Sequence, residues 1–336
     1  MSAQVSAPRR RWCAVPAVNA AALTDCTVHA AERMWVEKNC YIDIWLSLLH
    51  TLGLKPHACL PFVLAVDFVG DQWTFFKPAH DDLYELYGVD VQELTVWKPL
   101  IEHAREHLAA GRMISTEADA FWLPDTAGTD YRQTHTKTTV VLNELDLDRG
   151  RLGYLHNTGY HWLEGEDFDR TFRLSAAPDP TFMPLFAELV SVERLQVRPE
   201  SQLREMSQAL LRKYMSRVPR TNPIERFHAR FREEVPALQA AGLAHYHAWA
   251  FATTRQVGAA FELAAQYLRW LSVHEHRELD EAAAAFEGIA AQNKAFILKG
   301  ARLVMSKKSF QDDAMFVEAA QCWQRGMDAL VAHLGG

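Results

Sequence analysis

The sequence has no CxxC pair, no uninterrupted apolar run of about 18 residues, and no GxSxG, Walker A or GxGxxG motif. Without CxxC pairs the usual framework of a structural zinc site is missing. Without a long apolar run there is no transmembrane helix to expect. The missing glycine motifs leave no sequence sign of a nucleotide cradle or of a serine hydrolase elbow. Excess positive charge is also lacking: 35 basic residues against 42 acidic ones give a net charge of -7, which argues against nucleic acid as a partner. Cysteines are few, odd in number and widely spaced (Cys13, Cys26, Cys40, Cys59, Cys322), in a chain too long to need disulfide staples. They read as thiols of a reducing compartment, and the cytoplasm is the expected location. Arginines near the N-terminus precede a mildly apolar stretch, but Pro16 and Asn19 interrupt it, so an export signal is not preferred.

What is present is an ordinary globular mixture over 336 residues, 49% apolar and 23% charged. Charge is uneven: residues 1 to 180 hold 16 basic and 25 acidic residues, the remainder 19 and 17. The first part mixes signals. Residues 40 to 52 carry Ile44, Leu48 and Leu52 on one helical face, ended by Gly53 and Pro56. LPFVLAVDFVGDQWTFFK (60 to 77) reads as two strands around Gly70-Asp71. PAHDDLYELYGVDVQEL and residues 97 to 111 read as helices, and MISTEADAFWLPD as a strand up to Pro124. KTTVVLNELDLDRGRLGYLHNTGYHWL reads as two β-rich runs joined at Asp148–Gly150. The proline-rich SAAPDPTFMP (175 to 184) marks a change, after which 182 to 197, 199 to 217, 222 to 241, 243 to 274, 278 to 305 and 310 to 334 show helical periodicity. The expected architecture is α+β: a domain over residues 1–177 with an N-terminal helix and an antiparallel sheet, then an all-α bundle over 178–336.

Chemistry centres on KNCYIDIW. Asn39 is a good N-cap residue, which places Cys40 at the first helical position, where unpaired N–H groups and the positive dipole end favour a thiolate. The same N–H groups suit the oxyanion of a tetrahedral intermediate. A thiol nucleophile needs an imidazole base and a group that orients it. His135 opens one strand of the hairpin and Asn157 follows the next, so the two are candidate neighbours; His156 is a competing base. Strand alternation should send His156 and Asn157 to opposite faces.

The segments NCYIDIW, FWLPDT, YRQTHTKTT and YLHNTGYHWLEGEDF, over roughly residues 30 to 175, resemble the papain-like cysteine fold. The likeness is to the butirosin biosynthesis protein H domain and to a bacterial family of unknown function in which these segments occur in the same order. The resemblance implies acyl or aminoacyl transfer from a carrier-protein pantetheine thioester to an amine through an acyl-cysteine. Cys40 would be the nucleophile, His135 the base and Asn157 the orienting residue. The upstream Gln common in papain-like enzymes is absent from residues 27 to 39, so Asn39 or backbone N–H groups would receive the oxyanion. No cofactor is implied, since the phosphopantetheine arrives with the donor.

Trp122 and Tyr131 are candidates for the acyl pocket, and Arg132 or Lys137 for a phosphate or carboxylate. Between Arg204 and Arg232 there are eight basic residues against two acidic ones. Arg212, Lys213, Arg217, Arg220, Arg226 and Arg230 suit an acidic carrier protein. Two other readings share these residues: a cysteine peptidase or amidase, and a non-catalytic module that binds the carrier protein. A rival chemistry is IEHAREHL, where His103, Glu106 and His107 spell the HxxEH pattern of inverted zinc metalloproteases.

Overall fold

The computed structural model describes residues 10 to 335 except 25, 178, 180, 273 to 275 and 311 to 312. Of the arginines in the export-signal reading, Arg9 lies outside the described residues. In chain order the first elements are β1 (Arg11–Cys13), α1 (Cys40–Thr51), β2 (Phe68–Val69), β3 (Gln72–Trp73), α2 (His80–Tyr87), β4 (Asp90–Glu93), α3 (Leu100–Ala109) and β5 (Met113–Asp119). Then come β6 (Lys137–Asp146), β7 (Arg151–His156), β8 (Gly159–Glu164), α4 (Gly165–Phe172) and β9 (Ala187–Ser191). The rest is helical: α5 (Glu200–Met215), α6 (Pro223–Ala241), α7 (Leu243–Ala252), α8 (Thr254–Leu271), α9 (Arg277–Ser306) and α10 (Ala314–Gly335). The chain is α+β, with an antiparallel sheet in its N-terminal part and, among the described residues, no strand after residue 198.

Two compact units divide the chain. One comprises residues 1–26, 43–54 and 83–197, the other 27–42, 55–82 and 198–336, so the boundary passes through α1 between Ile42 and Asp43. The sheet unit has strand order β4-β9-β5-β6-β7-β8, every pair antiparallel. Strand β6 is long enough to serve two neighbours on one side: its first half pairs with β5 (Ile114↔Leu142) and its end with β1 (Cys13↔Glu144). One face of the sheet is covered by α3 and α4. Leu100, Ala104 and Leu108 recur every fourth residue of α3 and join Ile114, Val140, Leu142, Leu152 and Phe168 in one apolar core. Gly88, at φ +69 between α2 and β4, lies against the Arg194 carbonyl, where a Cβ would sit 1.9 Å from that oxygen; only glycine fits.

Some local expectations change. Residues 182 to 197 read as a helix, yet 187 to 191 form β9, filling the gap between β4 and β5. Both faces of β9 are buried, so its apolar residues lack the alternation that identifies a strand. This also carries the sheet unit past residue 177. The 60 to 77 region keeps only a hairpin of two-residue strands, because 56 to 65 adopt a 3-10 helix. Pro56 and Pro61 have no N–H to offer a ladder. Residues 90 to 93, read as helix, form β4, and the 243 to 274 run breaks at Thr253 (φ -118, ψ -78) into α7 and α8.

The helical unit is built round α8, which is buried over most of its length; α9 packs along α8, and α10 packs along α9. An aromatic cluster of Phe227, Phe231, Trp249, Phe296 and Phe316 fills the space between α6, α7, α9 and α10.

Candidate active site

The cap expected at Asn39 is formed. Its Oδ1 accepts the N–H groups of Tyr41 (3.1 Å) and Ile42 (2.9 Å), and its Nδ2 donates to the Phe76 carbonyl (3.1 Å). Cys40 is therefore the first residue of α1, a free thiol of intermediate exposure. The cap takes up two of the N–H groups, and Phe76 takes the Asn39 amide, that the sequence reading had offered to an oxyanion. Replacing Asn39 with alanine should cost about 1–2 kcal/mol, measured as a lowered urea midpoint, with Asn39→Asp intermediate because it keeps the cap but loses the bond to Phe76.

In the sheet unit His135 lies two residues ahead of β6. Asp119 ends β5 and pairs in register with Lys137, so the antiparallel ladder sets its carboxylate beside the imidazole. His135 Nδ1 meets Asp119 Oδ2 at 2.6 Å, and the ring stacks on Phe121 at 4.3 Å. The Asp119 carboxylate is itself fixed, since its other oxygen accepts the Phe121 N–H. The His135 side chain remains 69% exposed. The group on Nδ1 is thus Asp119, not Asn157. Asn157 occupies the tight β7–β8 turn at φ 48, and its carbonyl accepts from Ser47.

A second histidine-aspartate pair is buried. His156, 1% exposed, sends Nδ1 to Asp125 Oδ2 (2.5 Å), and its Nε2 faces the Thr138 hydroxyl (2.8 Å). The Tyr154 hydroxyl donates to the other Asp125 oxygen, and His161 Nε2 stands 3.9 Å away. Tyr154 and His156 are two apart on β7 and so share a face, the period that also turned His156 inward. Burial alone would raise the Asp125 carboxyl; hydrogen bonds from His156 and Tyr154 outweigh it and hold the group below the usual carboxylate range. Burial together with Asp125 pushes the Tyr154 hydroxyl up, and burial pushes His161 down. With both His156 nitrogens engaged, the competing base of the sequence reading is tied into the interior.

Trp122, Tyr131 and Arg132 come together. The Arg132 guanidinium lies 4.5 Å over the Trp122 ring and binds Asp167 (2.6 Å), which also accepts from the Tyr131 hydroxyl (2.8 Å). Lys137 stands apart, paired with Glu117 across the β5–β6 ladder (2.9 Å). Asn39 and Cys40 belong to the helical unit; the other predicted site residues belong to the sheet unit. Asp119 and Asp125 were not singled out from sequence, although they bracket the quoted stretch AFWLP. Their partners lie 16 and 31 residues away, and spacing alone does not choose among nearby carboxylates.

Of the basic run, Lys213 pairs with Asp82, Arg226 with Asp67 and Arg230 with Glu234, which neutralises much of the expected patch. Arg212, Arg217 and Arg220 make no ion pair with a described residue. In the HxxEH stretch Glu106 is held by Lys98 and His103 accepts from the Trp97 N–H, so the glutamate of the motif is already engaged. Among the described residues no three His, Cys, Asp or Glu side chains are grouped to hold a metal, and no helix is long and apolar enough to cross a membrane.

Sheet unit and helical unit make this a two-part α+β chain with histidine-aspartate pairs on one of its sheets. The DUF1839 N-terminal domain matches residues 24–192 and the DUF1839 C-terminal domain residues 200–332. The chain belongs to the DUF1839 family, a two-domain family of unknown function. No curated protein matches it.

Proposed function

We propose that this chain is a papain-like cysteine acyltransferase, moving an acyl or aminoacyl group from a carrier-protein pantetheine thioester to an amine. The observation that carries the reading is the His135–Asp119 pair: a carboxylate holds Nδ1 at 2.6 Å while the side chain is largely exposed, the arrangement a general base needs. Cys40 at the first position of α1 is the nucleophile. Because the two residues belong to different compact units, their joint role is a matter of chemistry to be tested.

His135 Nε2 takes the proton of the Cys40 thiol as sulfur attacks the thioester carbonyl. The resulting oxyanion is received by the Cys40 N–H, because the next two amides serve the cap. The imidazolium returns its proton to the departing pantetheine sulfur, leaving an acyl-Cys40 thioester. An amine then attacks, His135 takes its proton, and the amide leaves with the thiol restored. Asp119 keeps the imidazole in one orientation throughout, in the place the sequence reading gave to Asn157. All five cysteines are free, which suits a cytoplasmic setting. An acidic carrier protein would engage Arg212, Arg217 and Arg220, the members of the basic run without an ion pair to a described residue.

The test is intact mass after mixing with an acyl-loaded carrier protein, at low and at moderate salt. An adduct of the acyl mass on wild type, absent from Cys40→Ala and reduced by salt, supports the proposal; no adduct, or one that persists in Cys40→Ala, sinks it. Release by an added amine as amide, rather than by water, separates transferase from peptidase or amidase.

A further inference from the structure

We infer that Glu262, on α8 of the helical unit, is a positioning residue for Cys40: it fixes the strap that delivers the thiol to the head of α1. The inference rests on the role proposed above for Cys40. Residues 31 to 39 form no helix or strand, so no ladder or helical repeat sets their course. Glu262, 8% exposed, accepts the Met34 N–H on Oε1 (2.9 Å) and the Trp35 N–H on Oε2 (3.1 Å). Two successive amides on one carboxylate fix the direction of the chain as well as its attachment.

The hold continues along the strap toward Cys40. The buried Trp35 ring lies against Gly258, and its Nε1 donates to the Ala290 carbonyl (3.4 Å) while the Lys294 ammonium stands 4.5 Å over the ring. Arg255 donates to the Glu37 carbonyl (3.3 Å). Lys38 Nζ donates to the carbonyls of Val28 (2.7 Å) and Val36 (3.0 Å), and Asn39 then caps α1. Arg255, Gly258 and Glu262 follow helical spacing, so one face of α8 receives the strap. At the end of this run stands the Cys40 N–H, the group given to the oxyanion, and such a donor works only where its position is fixed in advance. Glu262 falls in the DUF1839 C-terminal domain and Cys40 in the N-terminal one. The C-terminal domain is thereby part of the support of the nucleophile.

A competing account is that Glu262 serves stability alone. A buried carboxylate whose described partners are two backbone amides is a poor source of stability, because desolvation offsets much of what the hydrogen bonds contribute. What the pair of bonds supplies is a defined path for the strap.

The test uses the full chain. Glu262→Gln keeps the shape but turns one acceptor into a donor facing an N–H, and Glu262→Asp keeps both acceptors on a shorter stem. Gly258→Ala leaves the carboxylate in place and displaces Trp35, since a Cβ there would stand 2.5 Å from the ring. Glu262→Gln and Gly258→Ala should each slow acyl-Cys40 formation at saturating donor by about tenfold, the scale of one lost hydrogen bond to a charged group, with donor affinity unchanged. Glu262→Asp should be intermediate. Hydrogen exchange should speed up by a similar factor over residues 34 to 42 and keep its wild-type rate in α10. Phe316→Leu, in the aromatic cluster, is the control for lowered stability. Wild-type rates in both Glu262→Gln and Gly258→Ala, or a loss that Phe316→Leu reproduces at the same melting temperature, would overturn the inference. If wild type forms no acyl adduct, the acyltransferase reading fails by itself and exchange decides: acceleration confined to residues 34 to 42 upholds the positioning of Cys40, and unchanged or chain-wide exchange overturns it.

Discussion

Replacing His135 with alanine is expected to slow acyl-Cys40 formation by about 10²–10⁴-fold, the usual effect of losing a positioned general base. The variant should fold normally, because the side chain is mostly in solvent and its only described polar partner, Asp119, is itself more than one-third exposed. Asp119→Asn keeps the shape and the stack on Phe121 but replaces the carboxylate, so a smaller loss of about tenfold is expected; Asp119→Glu should recover part of it. Rates come from intact-mass time courses at saturating donor, with donor affinity measured separately. A structural role for Asp119 would alter melting without this graded effect on rate. Unchanged rates in His135→Ala, with loss in His156→Gln, would remove His135 from the mechanism and return the role to His156.

The buried pair should respond in the opposite manner. Asp125→Ala leaves the Tyr154 hydroxyl and the His156 ring without their acceptor in a site where the Asp125 side chain is 8% and His156 2% exposed. Breaking such a pair costs about 3–5 kcal/mol, whereas the exposed Asp119–His135 pair should contribute about 0–1 kcal/mol. Guanidinium unfolding followed by near-ultraviolet circular dichroism measures both. Near-equal losses would show that burial does not decide the difference.

Acid dependence follows from the same network. Asp125 titrates lower folded than unfolded, so its stabilisation is complete above the ordinary carboxyl value of 3.8 and is lost as pH falls through the lower folded value. His161 is also depressed, so its stabilisation is complete above 6.5 and declines as pH falls below that. Stability of the sheet unit should therefore begin to drop on acidification below 6.5. Asp125→Ala should abolish the part of the decline that belongs to the carboxylate.

The sequence by itself determined the α+β division, the hairpin of β6 and β7, the α3 stripe and most of the helices after residue 198. It also determined the cap at Asn39, and so the place of Cys40. Each of these is set by residues within a few positions of one another, where helical period, capping and turn chemistry act. Tertiary structure decided the rest. Strand β9 is a strand because the sheet offers a gap between β4 and β5, which outweighs a short run's own preference. The partners of the histidines, Asp119 and Asp125 rather than Asn157, depend on which loop the ladder brings beside them. Lys213 and Arg226 of the basic run found carboxylates from distant segments. Electrostatic and hydrogen-bond partnerships are chosen by distance in space, and distance along the chain does not encode it.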